Sequence, residues 1–105
     1  MVITGHRGAA KLEPENTCLS IQKAIDLGVD QIEIDVHLTR DQHLVVIHDQ
    51  TVDRTTDGWG AVSDLSLQEI KQLDAGKGEK IPTLQEVVDV IQGRAILQIE
   101  LKGLA

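Results

Sequence analysis

Apolar and polar side chains alternate without a break over residues 31–38. Ile32, Ile34, Val36 and Leu38 occupy one set of positions, and Gln31, Glu33, Asp35 and His37 the other. A period of two is that of a β-strand, whose successive side chains point to opposite faces. One face is therefore apolar, and the other carries two carboxylates and an imidazole. A second apolar strand over 44–47 ends on His48 and Asp49. Between the two lies Arg40-Asp41-Gln42, a tight turn far too short for a helical crossover. The strands should pair antiparallel about it, in a register that sets His48 opposite Ile34, beside Glu33 and Asp35.

The same patterning organises the rest of the chain. A short strand over 2–5 breaks into Gly5-His6-Arg7-Gly8-Ala9-Ala10, where flanking glycines let the backbone turn and bring a His-Arg pair to a strand terminus. A helix is expected over 17–27, with Asn16 as its N-cap and Gly28 ending it. Cys18 falls at helical spacing with Ile21, Ala24 and Ile25, which reads as core packing rather than a catalytic thiol. The polar segment 50–64 reads as an ordered surface loop near the mouth of any site at His48, with Arg54 and Trp59 either lining that entrance or serving the loop. Ser66-Leu67-Gln68-Glu69 and Thr83-Leu84-Gln85-Glu86 are capping-box patterns. The first opens a short helix to about residue 73, and the second a helix striped by Leu84, Val87, Val88 and Ile91 and closed by Gly93. A last strand over 95–102 alternates again, with Leu97, Ile99 and Leu101 on one face and Gln98, Glu100 and Lys102 on the other.

Strands with one apolar face, interleaved with helices that carry apolar stripes, define an α/β architecture. A parallel sheet open to water on one face is unusual. A barrel resolves the difficulty, with helices outside and the polar strand faces inside, near the C-terminal strand ends where such barrels place their chemistry. The 105 residues amount to one domain at most, and 41% are apolar, almost wholly Ile, Val, Leu and Ala. There is no Phe or Tyr, and Trp59 is the one aromatic. That argues against modules that stack bases on aromatic side chains. The net charge of −7 opposes phosphate-backbone binding as well. No nucleic-acid partner is expected. A single cysteine excludes an internal disulfide, and no apolar run approaches a membrane span. With no signal-peptide pattern at the N-terminus, the cytoplasm is the expected compartment.

The strand ends bring forward His6 and Arg7, then Glu33 and Asp35, then His48, then Glu100 and Lys102. Three carboxylates from different strands suit a hard cation, Mg²⁺ or Ca²⁺, whereas zinc prefers nitrogen or sulfur ligands. Two histidines suit proton transfer near neutral pH, and Arg7 and Lys102 supply fixed positive charge for phosphate oxygens. Together these describe cleavage of a phosphate ester. His37 lies one step beyond the carboxylates and outside the ligand set, and His43 falls in the turn.

The chain resembles the glycerophosphodiester phosphodiesterases, relatives of the phosphatidylinositol-specific phospholipase C type barrels. The resemblance is carried by His6-Arg7-Gly8, Pro14-Glu15-Asn16-Thr17, Glu33-Ile34-Asp35-Val36, Thr39-Arg40-Asp41, His48-Asp49 with Arg54-Thr55-Thr56, Pro82-Thr83-Leu84 and Glu100-Leu101-Lys102, in family order. It implies a (β/α)₈ TIM-type barrel and metal-dependent hydrolysis of small glycerophosphodiesters to sn-glycerol 3-phosphate and an alcohol. Carried over by position, Glu33, Asp35 and Glu100 would hold the metal. His6 and His48 would be the acid/base pair, and Arg7 and Lys102 would bind phosphate. In related enzymes a substrate hydroxyl can attack first, so a lyase releasing cyclic phosphates from lysophospholipids is an alternative.

A closed barrel of this type takes about 250 residues. Residues 1–105 therefore correspond to the N-terminal part of such a domain, the first half of the barrel, with about four strands. An open half exposes edge strands and an apolar flank. It could form a homo-oligomer to cover them, belong to a longer chain, or be a partial sequence that folds poorly alone. A non-catalytic half-barrel that assembles with another chain is the alternative outside enzymology.

Overall fold

The computed structural model describes residues 2–102. In chain order its elements are β1 (Thr4–His6), α1 (Cys18–Asp26), β2 (Gln31–Leu38), β3 (Leu44–Val46), a 3₁₀ turn (Val62–Asp64), α2 (Leu67–Ile70), α3 (Leu84–Ile91) and β4 (Ile96–Leu101). The alternating segment is the centre of the sheet. Its first three residues pair in parallel with β1, and Gln31 to Val36 pair in parallel with β4. Its last three pair antiparallel with β3, Val36 with Val46 and Leu38 with Leu44. Because Val36 pairs with both Val46 and Leu101, β3 and β4 occupy opposite edges of β2. The Ile47 amide donates to the Asp35 carbonyl at 2.9 Å, which continues the register toward His48 as the turn predicts. This is an α/β fold in which β1, β2 and β4 run parallel, as expected for part of a (β/α)₈ barrel.

The apolar face of β2 forms the main core. Ile32, Ile34 and Val36 are fully buried with Ile21 and Ala24 of α1, Val46, and Val87 and Ile91 of α3. Each helix begins with a reciprocal cap, Thr17 with Ser20 in α1, Ser66 with Glu69 in α2 and Thr83 with Glu86 in α3. The last two match expectation. In α1 the cap is Thr17 rather than Asn16, because Asn16 takes a left-handed conformation (φ 55°) and turns its side chain to the sheet. The first strand likewise starts two residues later than its pattern suggested. Val88 lies outside the buried stripe of α3, whose inner face is Val87 and Ile91 with Leu84 and Val90 partly covered.

The segment after β3 is more than a surface loop. Val45, Ile47, Val52, Val62, Ile70, Ala75 and Ile81 form a second core of their own. Main-chain bonds tie it together, Val52 N–H to the Gly60 carbonyl and Val62 N–H to the Gln50 carbonyl. This satellite core fixes the chain on both sides of His48 and Asp49.

Candidate active site

Residues paired directly across a sheet share a face. His6 pairs with Glu33 and Asp35 with Glu100, so three strands place these four side chains on the face of β2 opposite the main core. One carboxylate oxygen from each of Glu33, Asp35 and Glu100 lies within 4.8 Å of the others. Asp35 is 1% exposed, whereas Glu100 stands on the open side. Nitrogen groups face each of these carboxylates, two of them the permanent cations Arg7 and Lys102. His6 Nδ1 lies 3.0 Å from Glu33 Oε1, Arg7 Nε lies 3.5 Å from Asp35 Oδ2, and Lys102 Nζ lies 3.0 Å from Glu100 Oε1. The Lys102 ammonium, by hydrogen bond and charge, holds the Glu100 carboxyl below its ordinary range.

The loop after β1 owes its shape to two left-handed residues. Arg7 (φ 54°) and Gly8 (φ 79°) reverse the chain, so that the Arg7 amide donates to the Glu33 carbonyl at 2.7 Å and its carbonyl accepts from the Asn16 amide at 2.9 Å. A Cβ on Gly8 would stand 2.8 Å from the Ser20 carbonyl carbon and 2.9 Å from the Ile21 nitrogen. Only glycine lets this loop lie against the start of α1. The turn delivers Arg7 and Asn16 together to Asp35, where Asn16 Nδ2 donates to Oδ2 at 3.2 Å. Arg7 Nε and Asn16 Oδ1 are buried without a hydrogen-bond partner among the described residues. The pocket around Asp35 thus retains polar capacity that the protein alone does not consume.

His48 is oriented by its neighbour. Its Nδ1 lies 2.8 Å from Asp49 Oδ1. An ionised carboxylate only accepts, so Nδ1 carries a hydrogen, and in the neutral form of the ring the lone pair falls on Nε2. Asp49 is anionic because hydrogen bonds from Arg54 and His48 hold its carboxyl well below the usual range. Arg54 reaches onward to Glu15, with 2.9 and 3.0 Å bonds to its two oxygens. Burial pushes the Glu15 carboxyl up, but hydrogen bonding and charge from Arg54, with Arg7 and His48, more than reverse this and leave it lowered.

A cleft of about 430 Å³ opens beside this group, lined by His37, His48, Asp49, Gln50, Thr51 and Lys102. His37 is buried, and its Nε2 lies 2.9 Å from the His48 carbonyl, so it braces the backbone at His48 instead of facing solvent. All seven expected residues thus lie on the polar face and the loops that border it. Reasoning from the sequence named Glu15 and Asp49 within motifs without a task, and cast Asn16 as a helix cap rather than as a partner of Asp35. Their contacts depend on loop conformation, which carries no periodic signal. Cys18 is half-buried at the start of α1, and burial, reinforced by Glu86 and Glu79, raises its thiol pKa, as befits packing rather than nucleophilic chemistry.

A carboxylate triad of this kind fits a hard divalent cation. All donors are oxygens, from three side chains on two adjacent strands, and Arg7 and Lys102 offset part of their charge.

The model of the glycerophosphoryl diester phosphodiesterase family matches residues 6–104. A glycerophosphodiester phosphodiesterase of Caldanaerobacter subterraneus subsp. tengcongensis is 52% identical over 97% of this chain and 45% of its own length. Among solved structures, a glycerophosphodiester phosphodiesterase from Agrobacterium tumefaciens superposes with a TM-score of 0.93 at 42% identity, covering 96% of this chain and 47% of that one. A phosphodiesterase from Oleispira antarctica, solved in complex with the product sn-glycerol-3-phosphate, gives 0.93 at 41% identity, covering 97% of this chain and 44% of that one. The chain spans about half the length of the curated relatives it matches. With its motifs in order, its fold shared and its polar strand face intact, the chain belongs to the glycerophosphoryl diester phosphodiesterase family.

Proposed function

We propose that these residues form the working site of a metal-dependent phosphodiesterase. It hydrolyses glycerophosphodiesters to sn-glycerol 3-phosphate and an alcohol, in glycerophospholipid metabolism, and residues 1–105 make up the N-terminal part of its domain. The observation that carries the reading is the convergence of Glu33, Asp35 and Glu100 to within 4.8 Å, with a histidine at one end and a lysine at the other. The product-bound relative supports the substrate class.

Glu33, Asp35 and Glu100 would hold Mg²⁺ or Ca²⁺. When bound, such an ion supplies positive charge that polarises phosphoryl oxygens. The chain's own groups do the rest. Arg7 and Lys102 bind and orient the phosphate, Arg7 from a half-buried position that limits its freedom and Lys102 from the rim of the cleft. His6 and His48 share the general acid and base roles. His48 presents Nε2 because Nδ1 is committed to Asp49, and His6 is 61% exposed and open to substrate. Replacing either histidine with alanine should lower kcat by about 10²- to 10⁴-fold, the usual contribution of a positioned acid or base. Near-normal turnover by both variants would defeat the assignment. Phosphorus NMR of the products separates hydrolysis from release of a cyclic phosphate.

One observation favours a second reading, a half-barrel that completes its site only with further polypeptide. Among the described residues β4 pairs with β2 along one edge only, and Ile96, Ile99 and Leu101 are exposed on it. Another copy of this chain would cover that edge as a homo-oligomer. Sedimentation distinguishes the two, because an active monodisperse monomer excludes the second.

A further inference from the structure

We propose that Arg54 is a positioning residue for His48, acting through Asp49, and that its pairing with Glu15 locks together the two loops that carry the site. The proposal rests on the acid/base role given to His48 above. The geometry uses nearly all of the guanidinium. Nε donates to Asp49 Oδ2 at 2.8 Å and Nη2 to Asp49 Oδ1 at 3.1 Å. On the other flank, Nη1 and Nη2 donate to the two oxygens of Glu15 at 2.9 and 3.0 Å. Four of five N–H donors are engaged by two carboxylate forks, so Arg54 is not a free cation waiting for phosphate. It acts on chemistry only through what it holds.

What it holds is placed for that task. Asp49 Oδ1 also accepts from His48 Nδ1, so the fork from Arg54 fixes the carboxylate that selects the histidine's tautomer. Asp49 is partly exposed and would otherwise be free to rotate toward water. Glu15 accepts from Arg7 as well, Nη1 to Oε2 at 3.3 Å. A continuous chain of contacts thus runs Arg7, Glu15, Arg54, Asp49, His48. It spans the loop after β1 and the loop after β3, 39 residues apart at the Glu15–Arg54 link. Lysine could supply the charge at this position but not two forks at once.

The test is nitrogen-15 NMR of the histidine rings in the full chain, alongside steady-state kinetics. Neutral His48 in the parent protein should show a protonated Nδ1 and an unprotonated Nε2. In Arg54→Gln the ring should become a mixture of tautomers, while amide signals of Ile34 and Val87 in the core stay in place. Turnover should fall mainly in kcat, by about 10-fold or more, because the tautomer matters to the proton transfer rather than to substrate binding. Arg54→Lys should recover only part of both, and Glu15→Gln should shift the tautomer in the same direction. An Arg54→Gln protein whose His48 keeps the parent tautomer overturns the proposal whatever its turnover. A tautomer change in a chain that never turned over substrate supports the proposal while counting against the hydrolase reading.

Discussion

Gly8 carries more of the site than any charged residue beside it. Its left-handed backbone and the backbone atoms facing its missing Cβ leave no room for a side chain. The shape of the loop at Gly8 decides whether Arg7 and Asn16 reach Asp35. Gly8→Ala should destabilise the fold by about 2 kcal/mol or more, the combined cost of a strained φ and a forced displacement of the start of α1. Urea titration of the two proteins measures it, and an unchanged midpoint would mean that the loop can shift at little cost. The strict alternation of 31–38 made Glu33 and Asp35 legible, because period two dictates the face. Asn16 was not. As an Asx residue before a helix it looks like a cap, but Thr17 and Ser20 cap each other and free Asn16 to bond the carboxylate. A serine at the third helical position does not match the usual Glu or Gln signature, so nothing in the sequence marked the difference.

At the level of elements, strands, helices and two of the caps were readable because each is a local pattern. Ser66→Ala and Thr83→Ala should each cost about 1 kcal/mol, the usual value of a lost cap. Ile70→Ala should cost about 2–5 kcal/mol as a fully buried residue of the satellite core. That core was illegible because its members are spread singly over 45–81 with no shared period. Its consequence is local. The segment it supports carries His48, so Ile70→Ala should also reduce turnover, whereas the two cap variants should not.

The link between the loops also has a pH signature. Glu15 and Asp49 both have carboxyl pKa values lowered in the folded protein, so each binds protons more weakly than in the unfolded chain. Their stabilisation is complete above the ordinary carboxylate range, about 4 to 4.5, and is lost as pH falls through the folded values. Between pH 6 and pH 3 the parent protein should therefore lose more stability than Arg54→Gln, in which both groups return toward ordinary behaviour. Thermal unfolding against pH reads the difference, and parallel curves would contradict it.

For the molecule as a whole, the parallel strands and the polar face agreed with the structure because both derive from one repeated pattern of apolar and polar positions, whereas the family resemblance rested on short motifs in order. The exposed edge of β4 follows from the same pattern, since alternation continues to Leu101 whether or not a neighbouring strand covers it. Replacing Ile99 and Leu101 with lysine should abolish any concentration-dependent association seen by sedimentation and leave Glu100 and Lys102 on the opposite face. The central claim is that the seven residues on the polar face and its loops form a working, metal-dependent site. Its most direct test is release of sn-glycerol 3-phosphate from glycerophosphocholine, with Mg²⁺ or Ca²⁺ and then with chelator. Turnover that appears with the ion and disappears with chelator is the predicted result. A folded, metal-saturated sample that releases no product would contradict the claim.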